Sequence, residues 1–195
     1  MSVNEHSDHP SKFFKAWHHF FGCSPPLGHV LRYEHIDAWT RFHSLPESKR
    51  YAECDKETET IIQRANTLAM ECFGEKANVW VCAGYPSDFE LENEDLPIRM
   101  NMLKSMDWID KNCEQLDRSK MSFFASRWLW ERNSLDRLFR EVAEDQQRAI
   151  LFSEDAQTVL APYDGGFDII SFQSGKIAQL ENSYSTWMSI RSDKL

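Results

Sequence analysis

Residues 161–172 read APYDGGFDIISF, and this stretch decides more about the fold than any other. Two apolar runs flank Asp164-Gly165-Gly166, a tripeptide able to supply the φ > 0 positions that a short hairpin loop demands. Pro162 has no N–H to give a ladder, so it belongs at a strand end or on an edge strand. The segment predicts a β-hairpin late in the chain. It names no reaction, since none of its residues is a strong nucleophile or base.

Working outward from the hairpin, residues 149–152 and 158–163 read as strands joined by the turn-rich Ser153-Glu154-Asp155-Ala156. Residues 167–172 complete the hairpin, and residues 175–191 are predicted helical, aligning Ile177, Leu180, Tyr184, Trp187 and Met188. Upstream, residues 121–130 are dense in aromatics and read as a strand, and residues 78–85 as a buried one stopped by Pro86. Residues 57–73 are predicted to form a long helix with Ile61, Ala65, Leu68 and Cys72 on one face. Asp55 or Thr58 is placed to cap it and Gly74 to end it. Further helices are expected over residues 11–21, 98–116 and 134–147, and a short strand over residues 30–36. Hairpin-linked strands with helices elsewhere predict an α+β fold: a mainly antiparallel sheet packed by several helices, with a late β-hairpin and a C-terminal helix. No Gly-rich strand-to-helix turn of the dinucleotide or Walker type occurs. A single domain over residues 1–195 is expected, with residues 1–10 a mobile tail.

Composition bounds the function. Thirteen Phe and seven Trp among 42% hydrophobic residues argue for a packed core and against disorder. No apolar run is long enough to span a membrane, and the polar start lacks the order of a signal peptide. Five cysteines (Cys23, Cys54, Cys72, Cys82, Cys113) are odd in number and never spaced as Cys-x-x-Cys, which fits free thiols in a reducing cytoplasm. The net charge of −9 makes direct nucleic-acid binding a poor expectation, because phosphate contacts want a basic face.

Candidate chemistry is sparse. All seven histidines precede residue 44. His6 and His9 stand at i, i+3, a weak metal-binding spacing in the expected mobile tail, but no matching Cys or carboxylate spacing and no His-Glu-x-x-His occurs, so a solvated surface is the expected role of most. His35-x-Asp37 lacks a serine in a nucleophile elbow. Residues 88–95 carry Asp88, Glu90, Glu92, Glu94 and Asp95 with no base among them, interleaved with Phe89 and Leu91. Acids in that density supply hard oxygen ligands, yet the loop holds no Gly for an EF-hand turn. A solvated loop is the first expectation and a protein-binding loop, with Phe89 and Leu91 as anchors, the second. Asp164 is expected to bond the turn's own backbone. Trp128 and Trp130 share a sheet face and serve either the core or a stacking surface, the core being favoured.

Several pieces together resemble an uncharacterised bacterial family, domain of unknown function 3885. They are Leu31-Arg32-Tyr33-Glu34, Arg64-Ala65 with Leu68 and Phe73, Val79-Trp80-Val81, then Pro162-Tyr163-Asp164 followed by Gly166-Phe167-Asp168-Ile169-Ile170, and last Tyr184 and Trp187. The family's hairpin usually carries another acid and an arginine before its glycine, where this chain has only Gly165. The resemblance implies an immunity protein that binds and neutralises a cognate toxin in the bacterial cytoplasm. Such a protein has no catalytic residue, metal or cofactor, and its expected contact surface here is Asp88, Phe89, Glu90, Leu91, Glu92, Glu94 and Asp95. Two other readings compete with it. One is a small metal-dependent hydrolase or nuclease using Asp88, Glu90 or Asp168 with a histidine. The other is a small-molecule binding module with an aromatic pocket round Trp128 and Trp130.

Overall fold

The computed structural model describes residues 9–110 and 120–191. Seven strands, β1 (Trp39–His43), β2 (Lys76–Pro86), β3 (Leu103–Ile109), β4 (Lys120–Glu131), β5 (Ala149–Ser153), β6 (Thr158–Tyr163) and β7 (Gly166–Ser171), form one sheet. Their order is β1-β7-β6-β5-β2-β4-β3, and every neighbouring pair is antiparallel. The helices are α1 (His9–Phe21), α2 (Gly28–Glu34), α3 (Asp55–Phe73), α4 (Leu96–Arg99), α5 (Asp136–Ala143) and α6 (Lys176–Ser183). The fold is α+β, as expected.

Strand alternation sorts the side chains into two layers. On one face Trp80, Phe123, Ile150, Phe152 and Ile170 pack against Phe13, Trp17 and Phe21 of α1 and Leu31 of α2. On the other, Phe42, Val81, Leu151, Leu160 and Ile169 meet α3, α5 and Leu180 of α6. Helix α3 buries Ile61, Ala65, Leu68 and Cys72, the face its periodicity marked. Gly74 ends it at φ 88°, its N–H donating to the Met70 carbonyl at 2.8 Å. The start differs from expectation. Cys54 holds the cap position without a side-chain bond, and Asp55 lies in the first turn. There Lys49 grips Glu57 at 2.7 Å, and the Glu53 N–H donates to the same carboxylate at 2.7 Å.

The hairpin forms where residues 161–172 placed it, with Tyr163 paired to Gly166 and two residues between them. Its chemistry is not the one expected. Neither Gly165 nor Gly166 takes a left-handed conformation. Gly166 is needed because a Cβ there would lie 2.2 Å from the Phe42 carbonyl oxygen of the neighbouring strand β1. The requirement is close backbone approach rather than φ > 0.

Two element assignments are corrected. Residues 30–36 fall mainly in helix α2, not a strand; Leu31 alone is fully buried there, and a strand would have alternated. The first strand lies later, at Trp39–His43, where Trp39, Arg41 and His43 alternate with Thr40 and Phe42. Residues 98–116 contain the end of the one-turn helix α4 and strand β3 instead of a long helix. A register shift between Lys104 and Met106 breaks the period of two, while the methionine spacing imitates a helical one. Cys113 and Leu116 lie outside the described residues, as does most of the expected tail. Toward the end, α6 stops at Ser183 and a 3-10 turn, Ser185–Trp187, carries the chain on.

Candidate functional site

The face that bears α1 and α2 is left open at one end of the sheet, where β1 and β6 finish and β5 and β7 begin. A cleft of about 970 Å³ occupies that end. Gly84, Ile150, Ala161, Met121, Arg41 and Asp168 contribute to its lining from the strands; Gly28, His29 and Arg32 of α2 and Trp108 of β3 add to it. Helix α2 sits low because Gly28 has no side chain: a Cβ there would meet the Ala161 Cβ at 2.8 Å. The hairpin tip closes one side through Tyr163, Asp164 and Gly165.

Asp168 is buried and fully engaged. Arg41 donates to it in bidentate fashion, Nε to Oδ1 at 2.8 Å and Nη2 to Oδ2 at 2.9 Å, and Trp39 Nε1 donates to Oδ1 at 2.9 Å. Strand register produces this cluster. Arg41 stands opposite Asp168 on β7, and Asp168 opposite Ala161 on β6, so the small alanine leaves room beside the pair. Burial alone would lower the Arg41 guanidinium, but the Asp168 bonds and charge reverse that and hold it above its ordinary value. The Arg41 guanidinium also lies 4.7 Å from the Tyr163 ring centroid. Burial pushes the Tyr163 phenol up to about 12.

Asp164 is tied down separately, from Arg50 Nε at 2.6 Å and Tyr51 Oη at 2.6 Å. Burial raises its carboxyl, but these two bonds outweigh it and hold the group below its ordinary value. The partners come from the loop after β1 rather than from the turn's own backbone alone. Both histidines of the cleft are pushed down: His29 by desolvation, then by Arg32 and Arg148, and His43 by burial, then by Arg41 and Arg64.

The expected contact residues form a separate feature at the end of β2. Asp95 accepts from the Glu92 N–H at 2.7 Å and precedes α4; Arg99 Nε donates to the Glu94 carbonyl at 2.8 Å. Glu94 reaches Arg137 at 3.1 Å across an exposed gap. Phe89 is exposed and its ring lies 5.2 Å from that of Tyr85. Leu91 is half-buried. Asp88, Glu90 and Glu92 are exposed and make no ion pair among the described residues.

The acids that a hydrolase reading would combine are not brought together. Asp88 and Glu90 stay in the loop, and the Asp168 oxygens accept from Trp39 and Arg41 rather than from a histidine. Among the described residues no three His, Cys, Asp or Glu side chains are grouped as metal ligands. Burial pushes the Cys72 thiol up to about 12 and that of Cys82 well above its ordinary value, so neither is a thiolate at neutral pH. Trp130 is buried and donates to the Gly74 carbonyl at 3.0 Å, and Trp128 packs half-buried against the same layer. The pair belongs to the core.

What residue-by-residue reading missed is the cleft's cationic side: Arg32, Arg41, Arg50 and Arg148 are scattered over more than a hundred residues and carry no shared motif. The available signal is the alternation Trp39, Arg41, His43, which puts a guanidinium beside Trp39 on one strand face. Comparison with curated proteins and with solved structures found no match. The sequence profile described as domain of unknown function DUF3885 matches residues 27–192, a span that holds α2, the cleft, the hairpin and the acidic loop. The chain belongs to that family.

Proposed function

We propose that this chain is a non-catalytic immunity protein of the bacterial cytoplasm that binds a cognate toxin and blocks its active site, with residues 88–95 as the contact surface. The observation that supports this reading is the mounting of the acidic loop. Its base is clamped by Asp95 and Arg99, while Asp88, Glu90, Glu92 and Phe89 are left exposed. Acids held on a firm base steer a basic partner into encounter, and an exposed aromatic then supplies a buried anchor. The net charge of −9 favours such a partner and opposes direct binding to nucleic acid. No helix of the described residues is long and apolar enough to cross a membrane.

The test is co-expression with the toxin encoded next to this chain's gene, followed by binding kinetics on the purified pair. Reversal of charge at Glu90, Glu92 and Glu94 to Lys should slow association and raise the Kd. Protection and binding like the parent's would remove the loop from the interface. If the neighbouring gene product neither intoxicates cells nor binds, the immunity reading itself falls.

A further inference from the structure

The cleft has a charge arrangement that the loop-mediated reading leaves unused. The chain carries −9 overall, yet five arginines reach this one cavity against four aspartates. Their pairing is uneven. Arg41 spends Nε and Nη2 on Asp168, and its Nη1 makes no hydrogen bond among the described residues. Among the described residues Arg32 donates only to the phenol of Tyr33, its exposed neighbour, at 3.0 Å, and its buried Nε has no partner there. Arg148 meets Asp145 at a loose 3.7 Å with its side chain exposed. These three arginines line the one cavity together with His29 and Tyr163.

Guanidinium donors at a cavity wall match the oxygens of a carboxylate or phosphate, and a phosphate offers enough of them for several arginines to share. Among the other lining residues, Ile150, Met121 and Trp108 offer an apolar surface on which a hydrophobic body can lie. Its volume of about 970 Å³ is ample for a small molecule. We infer that the cleft binds a small organic phosphomonoester, its dianionic head held by Arg32, Arg41 and Arg148 and its body on the apolar wall. Asp168 is then a positioning residue, fixing the plane of the Arg41 fork. The inference is independent of the toxin-binding reading, since the acidic loop takes no part in it.

Calorimetric titration of the full chain with inorganic phosphate, phenyl phosphate and adenosine monophosphate tests it, with phenol and adenosine as uncharged controls. At least one organic phosphate should bind saturably at up to about 10 mM, above the ~1 mM range of weak binding, and more tightly than inorganic phosphate. Arg148→Gln, an exposed change that leaves folding intact, should weaken that binding about tenfold, and Arg32→Gln by as much or more. Arg137→Gln, outside the cleft, should leave it unchanged. Three results overturn the inference: no saturable binding by any of the phosphates, equal binding of the uncharged controls, or unchanged affinity in both Arg148→Gln and Arg32→Gln.

Discussion

Asp168 and Glu90 carry the same functional group and are treated in opposite ways. Asp168 lies under the sheet's open end, where each oxygen accepts a bond from Arg41 and Oδ1 alone accepts a further one from Trp39. Glu90 lies on an exposed loop whose backbone is fixed while its carboxylate is left to solvent. The first arrangement holds β1 against β7 and shapes the cleft. The second leaves charge on display without asking the fold to depend on it. An acidic protein thus divides its carboxylates between those that build the structure and those that face outward, and only the former should register when stability is measured.

The largest effect belongs to the buried pair. Asp168→Asn or Arg41→Met strands an uncompensated partner and should cost about 3–5 kcal/mol in denaturant unfolding. Replacing both with apolar residues should recover part of that loss, the remainder being the bond that Trp39 Nε1 donates to Asp168. If the double variant is as unstable as the singles, the pair holds β1 in register in a way apolar packing cannot.

Gly166→Ala comes next, at about 1–3 kcal/mol, because its Cβ would have to displace the Phe42 carbonyl and so loosen β1 from β7. Gly165→Ala, whose Cβ would come 3.1 Å from the Tyr163 ring, should cost less. Equal losses would show that the hairpin tip, not the β1 contact, demands glycine.

Asp164 sharpens the comparison through pH. Its folded value is depressed, so the stability it supplies is whole above the ordinary value of 3.8 and drains away as the pH falls through the lower folded value. The Tm gap between the parent and Asp164→Asn should therefore be widest near neutrality and close in acid below 3.8. A gap that is constant with pH would mean the carboxylate's charge is not what Arg50 and Tyr51 recognise.

The smallest effect on stability is expected where the binding effect is greatest. The Glu90, Glu92 and Glu94 reversal to Lys should leave Tm near the parent's, since only Glu94 has an ion partner and that pair is exposed. A large fall in Tm would make the loop part of the structure and erase the distinction drawn from Glu90.

Local signals sufficed where one residue's neighbours along the chain decided its role. Strand β6 was legible to the residue because Thr158–Tyr163 is apolar and followed at once by the turn residues. Helix α3 was legible because four buried side chains recur at helical spacing and Gly74 ends the run. The same logic misled over β3, where methionines at helical spacing and a register shift concealed a strand, and over α2, where aromatic and β-branched residues cover a helix with one buried position. Charge density in residues 88–95 was visible at once, since exposed loop acids need no partner to be recognised.

By itself, then, the chain's pattern of apolar spacing and turn residues determined an α+β fold, the late hairpin, the long helix and the acidic loop. The cleft was decided only in three dimensions. Arg41 meets Asp168 across 127 positions, and Arg50 meets Asp164 across 114, because antiparallel pairing of β1 with β7 brings the two segments together. The need for glycine at 166 arises the same way, from a carbonyl that belongs to Phe42. Such requirements are set by the register between distant strands, and no window along the chain contains both of their halves.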